Sequence, residues 1–516
     1  MATVSIARVR AASIQAAVER VRSLSPRTAL VGVLAAAVFL RLWGIAYGLP
    51  NAYQPDEPFL VGVAVRMLGD GDLNPHFWDY PTLQMYSLLV LYAARQALAP
   101  AIPALQAPGV EYLLGRLLNV AYAAGTLVVV YVVGRRLFDR WAGVAAAALV
   151  GSSYLHNLMS HVLKVDVPAT FGCALVLAAA LLLLERPSYG WYAAAGAAVG
   201  FATSAKYPVA TVAVVVVAAH VAAWRWRSLR ELPRLGVAGL SSVAVFLLAS
   251  PYVVLDFAGF YRDWYANDVL WAATGHEGAE GDVALTYLRW LFLGQDAPLA
   301  WLALLGGAEL LRRRPVLAAI VAVFPLIYYG ELASLWQVRF HTYLLPTYPF
   351  LAVLGAYGVA TLVRLAISRG GAATAAAATV LGLAFGLQLY SAAEYSALLA
   401  SGDARDVALE WIVANVPAGA RVVREGYTPS LPSDRYRVTE LWRAIDQDPA
   451  WYRGEKVQYL VLGKLMYGRY FADPARYSEQ AERYRRLLAD ATLVQRVEGP
   501  MMGARGGEVD VYQLAP

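Results

Sequence analysis

The sequence predicts a polytopic α-helical membrane protein of about eleven spans with a small C-terminal α/β domain, and three observations carry that prediction. The 516 residues are 59% hydrophobic and only 16% charged, whereas soluble globular chains carry about a quarter charged residues. Apolar runs follow one another through the first 400 residues, most of them long enough to cross a bilayer. Of the 80 charged residues, 32 crowd into 401–516, so the tail reads as a separate soluble domain.

The chain opens with a basic segment, 1–28, carrying Arg8, Arg10, Arg20, Arg22 and Arg27. It precedes an apolar run from about Thr28 to Leu49. A cleaved signal peptide is the competing reading of this stretch, but no small-x-small cleavage site follows cleanly and the run continues past Arg41. Further runs cover 112–134, 141–158, 167–184, 190–205, 207–224, 236–255, 297–311, 315–331, 343–364 and 371–393. The shorter ones need snorkelling ends or local thinning.

Arginine placement orients the runs. With the N-terminus cytoplasmic, every second connection should be arginine-rich. Those connections hold Arg135, Arg136 and Arg140; Arg186 alone; Arg225, Arg227, Arg230 and Arg234; Arg312, Arg313 and Arg314; and Arg364 with Arg369. The net charge of +6 therefore speaks of membrane orientation and not of nucleic-acid binding. The expected domains are a cytoplasmic segment 1–28, a membrane domain 29–395 with outer loops 50–111 and 256–296, and an extracytoplasmic α/β domain 396–516. The single cysteine, Cys173, lies in an apolar run and allows no internal disulfide.

The same alternation sorts the polar residues. His76, His156, His161, His276 and His341 fall on the outer side with Asp56, Glu57, Lys164, Asp166, Lys206 and Arg339, while His220 does not. Chemistry concentrated on one membrane face points to a site there. Trp78, Tyr80, Trp264, Tyr265 and Trp271 suit an interfacial aromatic belt, or stacking on a sugar ring. The Gly-rich acidic stretch 272–283 suits a mobile gate or a loose loop tip.

In the tail, DARDVALEWIVANV has helical spacing and ends at Pro417. ARVVRE and VQYLVLG read as strands, EQAERYRRLLAD as a charged helix, and TLVQRVE with EVDVYQL as a strand pair around GPMMGARGG. That last loop lacks the strand–GxxxxGK–helix context of a phosphate loop and reads as a hairpin turn.

Transfer from a glycosyl phosphate needs a base for the acceptor proton, cations for the leaving phosphate and a dry pocket for the sugar. Asp56, held between Pro55 and Pro58 with Glu57 beside it, is the candidate base; Glu57 would orient the acceptor or help hold a divalent metal. The bland alternative is an ordinary acidic loop. Asp166 serves equally as a helix N-cap or a site residue, and Lys164 as a headgroup-snorkelling lysine or a phosphate ligand. Lys206, with Tyr207, sits in a connection too short for a solvated loop, where a cation meets a lipid phosphate. Arg339 has the same opportunity with a bidentate fork, and headgroup anchoring is the alternative for both Lys206 and Arg339. Asp166, Tyr80, Tyr207 and His341 form the substrate- or acceptor-binding set. The histidines show no HxxxH or HExxH spacing, so a metal is only weakly indicated.

At these residues the chain resembles the GT-C glycosyltransferases that use polyprenyl-phosphate sugars: the protein O-mannosyltransferases, the aminoarabinose transferases of lipid A and related lipopolysaccharide-core transferases. The resemblance rests on QPDEP, YPTLQMYSLL, GRLLNVAY, KVDVPATF, SAKYP and RFHTYLLPTYPFL, in order over about 50–350. It implies inverting transfer to an extracytoplasmic protein, lipid or cell-envelope glycan, with Asp56 as base and Lys206, Arg339 and, less securely, Lys164 around the donor phosphate. Tyr80 stands where the family often has histidine, and Phe340 where tyrosine is common. A transporter is the rival class, but neither internal repeats nor ionisable groups at mid-membrane depth are evident. A non-catalytic lipid-binding or assembly protein keeping the fold is the third reading.

Overall fold

The computed structural model describes residues 25–275 and 281–515. Arg8, Arg10, Arg20, Arg22 and His276 lie outside that set, as does the middle of the expected gate at 272–283. Every apolar run forms helix, yet the helices differ in reach. Among the described residues seven are long and apolar enough to cross a membrane: Val110–Leu137, Asp166–Glu185, Tyr207–Arg227, Leu232–Ala249, Pro315–Leu335, His341–Arg369 and Gly371–Asn415. An eighth arises if Val283–Leu293 and Ala297–Arg313, bent by 94°, count as one span.

The remaining expected spans are the helices Pro26–Leu42, Arg140–Gly151 and Tyr189–Ala205, with 17, 12 and 17 residues. At 1.5 Å per residue, 17 residues reach about 25 Å against a hydrocarbon core of about 30 Å. The count by length is therefore seven or eight, not eleven.

Local sequence sets the boundaries. Ser25 caps the first helix by accepting from Thr28 N, and Pro26 occupies its first turn. Asp139 accepts from Trp141 N and Ala142 N to start Arg140–Gly151. Lys206 adopts an extended conformation (φ −153°, ψ 120°) and breaks the chain between Tyr189–Ala205 and the turn Tyr207–Val212. Glycines allow the closest crossings. A Cβ at Gly196 or Gly200 would run into the backbone of Ala238 or Ser242, and one at Gly306 or Gly358 into that of Leu354 or Leu302.

The two long connections are mostly helical. Residues 50–111 contain Glu57–Asp70 and Leu83–Leu98, while 256–296 contain Phe257–Trp264 and Val283–Leu293. Trp78, expected in an interfacial belt, is instead buried edge-on against Phe260.

The tail is a five-stranded sheet, β1 Arg421–Glu425, β2 Arg437–Leu441, β3 Tyr459–Gly463, β4 Ala491–Met501 and β5 Ala504–Leu514, in the order β2-β1-β3-β5-β4. β1 lies parallel to β2 and β3, and β5 antiparallel to β3 and β4. Alternation splits the core between the two faces. Val422, Val461, Val509 and Val511 pack with Ala408 and Ile412 of helix Ala404–Asn415. Val423, Leu460 and Leu462 pack with Tyr470 and Tyr484 on the other face. The expected loop GPMMGARGG is mostly strand: only Met502 and Gly503, both at positive φ, turn between β4 and β5. β2 was not expected, because its RVTEL is a polar edge sequence.

Candidate active site

The site grows from the segment Gly48–Glu57. Ala52 N donates to Gly48 O, Asp56 N to Gln54 Oε1 and Glu57 N to Gln54 O, winding this stretch into a helix start. Asp56 takes the position before helix Glu57–Asp70 but makes no side-chain capping bond. Its carboxylate is committed elsewhere: Lys164 Nζ lies 3.0 Å from Oδ2, and Tyr80 Oη donates to Oδ1 at 3.1 Å.

Glu57 points the other way. Arg116 Nε and Nη2 grip Oε1 and Oε2 at 2.8 and 2.7 Å, and Leu163 N donates to Oε1 at 2.8 Å. Both side chains are wholly buried. Arg116 Nη1 also donates to Ile45 O and Tyr47 O. Glu57 is thus a structural clamp, placed neither to orient an acceptor nor to bind metal: adjacent residues at a helix start diverge by about 100°, so one carboxylate faces the cavity and the other the interior.

Lys164 and Asp166 flank the start of Asp166–Glu185. Asn119 Nδ2 donates to Val162 O and Lys164 O, and Asn119 Oδ1 accepts from Gln84 Nε2. Sequence reasoning missed this brace, although an asparagine three positions from Arg116 on an apolar helix signals buried partners. Asp166 makes no capping bond. Its Oδ1 accepts from Lys206 Nζ at 2.7 Å, and its buried Oδ2 has no hydrogen-bond partner. Lys206 also lies over the Tyr343 ring at 3.9 Å. Burial alone would push the Lys164 ammonium down, but the carboxylates of Asp56 and Asp166 outweigh it and hold it above the ordinary lysine range. Burial, reinforced by Asp56, keeps the Tyr80 phenol well above its ordinary value and hence protonated.

One cavity of about 580 Å³ joins these residues. Asp56, Tyr80, Lys164, Asp166, Lys206, Tyr207 and His341 all line it. Arg339 does not. Trp336 and Phe340 are both extended, at either end of a stretch without regular structure; Phe340 lines the cavity, whereas Arg339 Nη2 donates to Gly281 O. His156 and His161 are buried outside the lining, on Arg41 and on the Asn157 and Trp43 carbonyls. Tyr427 and Met502 of the C-terminal domain also line the cavity, a contribution no local sequence signal announced.

Among the described residues no three His, Cys, Asp or Glu side chains converge to hold a metal. Asp56 and Asp166 are each held by a lysine, and Glu57 is turned away. This donor set does not fit an all-protein metal site, and no step below is drawn through one.

Solved structures share this fold. The chain aligns with ArnT from Cupriavidus metallidurans bound to undecaprenyl phosphate at a TM-score of 0.56 and 15% identity, over 93% of this chain and 97% of that one. The fold is GT-C. The apo Archaeoglobus fulgidus oligosaccharyltransferase gives a TM-score of 0.57 and 13% identity, over 87% and 71% of the two chains. The archaeal oligosaccharyltransferase AglB from the same organism, in complex with an inhibitory peptide and a dolichol-phosphate, gives 0.52 and 12%, over 84% and 69%. The profile of the dolichyl-phosphate-mannose-protein mannosyltransferase family matches residues 108–254. That stretch holds Arg116, Asn119, Lys164, Asp166 and Lys206 of the GT-C cavity and its bracing. No curated protein matches this sequence.

Proposed function

We propose that this protein is a membrane glycosyltransferase that moves a sugar from a polyprenyl-phosphate carrier to an acceptor on the non-cytoplasmic side. The observation that carries the reading is one cavity lined by the Asp56 carboxylate, which pairs with Lys164, and by Lys206, which pairs with Asp166. A carboxylate and two ammonium groups lining one hollow match the base and the phosphate clamp that the chemistry requires. The undecaprenyl phosphate bound to ArnT and the dolichol-phosphate bound to AglB support a lipid-phosphate donor here.

In this reading the acceptor hydroxyl or amine gives its proton to Asp56 as its heteroatom bonds to the anomeric carbon. The bond from that carbon to the phosphate oxygen breaks on the opposite side, inverting configuration. The polyprenyl phosphate leaves with its added charge stabilised by Lys206 and Lys164. Tyr80 holds Asp56 in place while remaining protonated. Asp166 Oδ2, a buried acceptor with no donor, takes a sugar hydroxyl, and Thr342 Oγ1, equally unsatisfied in the lining, takes another. Tyr207 and His341 complete the walls around the sugar and acceptor.

The test is transfer itself. Membranes carrying the protein should release sugar from labelled undecaprenyl-phosphate sugars, and membranes carrying Asp56→Asn should not. Full turnover by Asp56→Asn would remove Asp56 as the base; no release from any carrier sugar by the unaltered protein would remove the enzyme reading.

A further inference from the structure

The cavity is closed on one side by a domain that lies far along the chain, and a buried ion pair within that domain stands at its junction with the segment bearing Asp56. Asp403 grips Arg405 with both oxygens, at 2.7 Å to Nε and 2.7 Å to Nη2, and both side chains are almost fully buried. Arg405 then reaches Tyr53, three residues before Asp56. Its Nη1 donates to Tyr53 O at 3.3 Å, and its guanidinium stacks on the Tyr53 ring at 3.9 Å. The neighbouring Asp406 accepts from Tyr53 Oη at 2.6 Å and from Asn51 Nδ2 at 3.2 Å. In the other direction Asp403 Oδ2 accepts from Met502 N at 2.9 Å, and Met502 is the β4–β5 turn residue that lines the cavity. Arg505, beyond that turn, pairs with Glu394 of the last membrane helix.

We propose that Arg405 is a positioning residue for the transfer reaction: paired with Asp403, and alongside the separate bonds of Asp406, it locks the Asp56 segment and the Met502 wall into one rigid unit, so that the C-terminal domain is an integral part of the active site. The burial argues for this role. A guanidinium and a carboxylate sealed at a domain junction are costly unless every donor and acceptor is satisfied, and here the satisfied groups belong to the two walls that must face each other across the acceptor. The segment is pinned from the membrane side by Glu57–Arg116 and from the tail side by Arg405, which leaves Asp56 little room to swing. Holding a reacting group within a fraction of an ångström is what such clamps supply.

This inference rests on the transferase reading, and its test separates the two. Full-length protein in nanodiscs is compared as wild type, Arg405→Lys and Tyr53→Phe for three readouts: binding of undecaprenyl phosphate, sugar release from its glycosylated form, and amide exchange over residues 51–57. Arg405→Lys keeps the charge but loses the fork; Tyr53→Phe keeps the stacked ring and loses the hydroxyl's bonds to Asp406 and from Asn51 Nδ2, and guards against a misfolded Arg405 variant. The expected result is unchanged carrier binding, faster exchange over 51–57 in both variants, and turnover lowered roughly tenfold to a hundredfold for Arg405→Lys and several-fold for Tyr53→Phe, through kcat and not KM. Turnover equal to wild type despite faster exchange would overturn the positioning role, as would exchange unchanged in both variants. A wild type that binds the carrier yet releases no sugar refutes the transferase reading instead, and the exchange readout still decides whether the domain holds the segment.

Discussion

Glu57 and Arg116 form a two-pronged ion pair at 2.8 and 2.7 Å that no solvent reaches. Removing one member leaves the other charged and buried. Glu57→Ala should therefore destabilise the protein by about 3–5 kcal/mol, whereas Asp56→Asn next door, which is partly exposed and leaves Lys164 the carboxylate of Asp166, should cost distinctly less. Thermal unfolding of the purified variants checks this; equal melting of the two would mean that Glu57 is not the clamp its geometry implies.

Asp56 is half-open to the cavity and bonded to Lys164 and Tyr80, so its replacement by asparagine keeps the shape and removes the basicity. Transfer should fall by about 10²–10⁴-fold, the usual worth of a positioned base, while undecaprenyl phosphate binds as before. Parallel turnover and lipid-binding measurements decide it. A variant that loses both together has lost a binding group and not a base.

Much of this site was legible in the sequence because rare residues marked it. In a chain with only four lysines, two in the membrane part both reached the cavity, and the acidic loop, KVDVP and SAKYP converged there. Geometry below the resolution of sequence decided the rest. The divergence of Asp56 and Glu57 follows from helical rotation, and Arg339 bonds to Gly281 O instead of lining the cavity; neither shows in spacing. Arg116 and Asn119 sit in a helix that scans as apolar, so their partners on Glu57, Val162 and Lys164 depend on tertiary folding. The join of Arg405 to Tyr53 spans 352 positions, beyond any local pattern. The three short helices Pro26–Leu42, Arg140–Gly151 and Tyr189–Ala205 fall below full spanning length because caps and breaks such as Ser25, Asp139 and Lys206 set their ends, which an apolar run does not show.

Lys206 and Arg339 were equal candidates by sequence and are unequal in space. Lys206 lines the cavity, held by Asp166 at 2.7 Å, whereas Arg339 is turned to Gly281 O. Lys206→Met should weaken undecaprenyl phosphate binding by about 1.5–3 kcal/mol, the range for a hydrogen bond to a charged group. Arg339→Gln, at a side chain that does not line the cavity, should change it by about 1 kcal/mol or less, the net worth of an ordinary hydrogen bond. Titration of each variant with the lipid checks the order; the reverse order would place the phosphate nearer the rim.

Glu425 offers a pH signature outside the membrane. Burial pushes its carboxyl up from about 4.5 to about 8, against the lowering effect of bonds from Tyr484 Oη, Gly463 N and Ala444 N. Because the folded-state value is the higher one, the native domain retains a proton that the unfolded chain has lost between those two values. Its contribution to stability is then fully present below about 4.5 and is lost progressively as pH rises to about 8. Amide exchange of β1 and β3, measured in the full-length protein and corrected for intrinsic rates, should report weakening protection across that window. Glu425→Gln, which carries no ionisable proton, should flatten the slope. A slope that persists unchanged in Glu425→Gln would assign the titration to another group and leave the buried carboxylate ionised throughout.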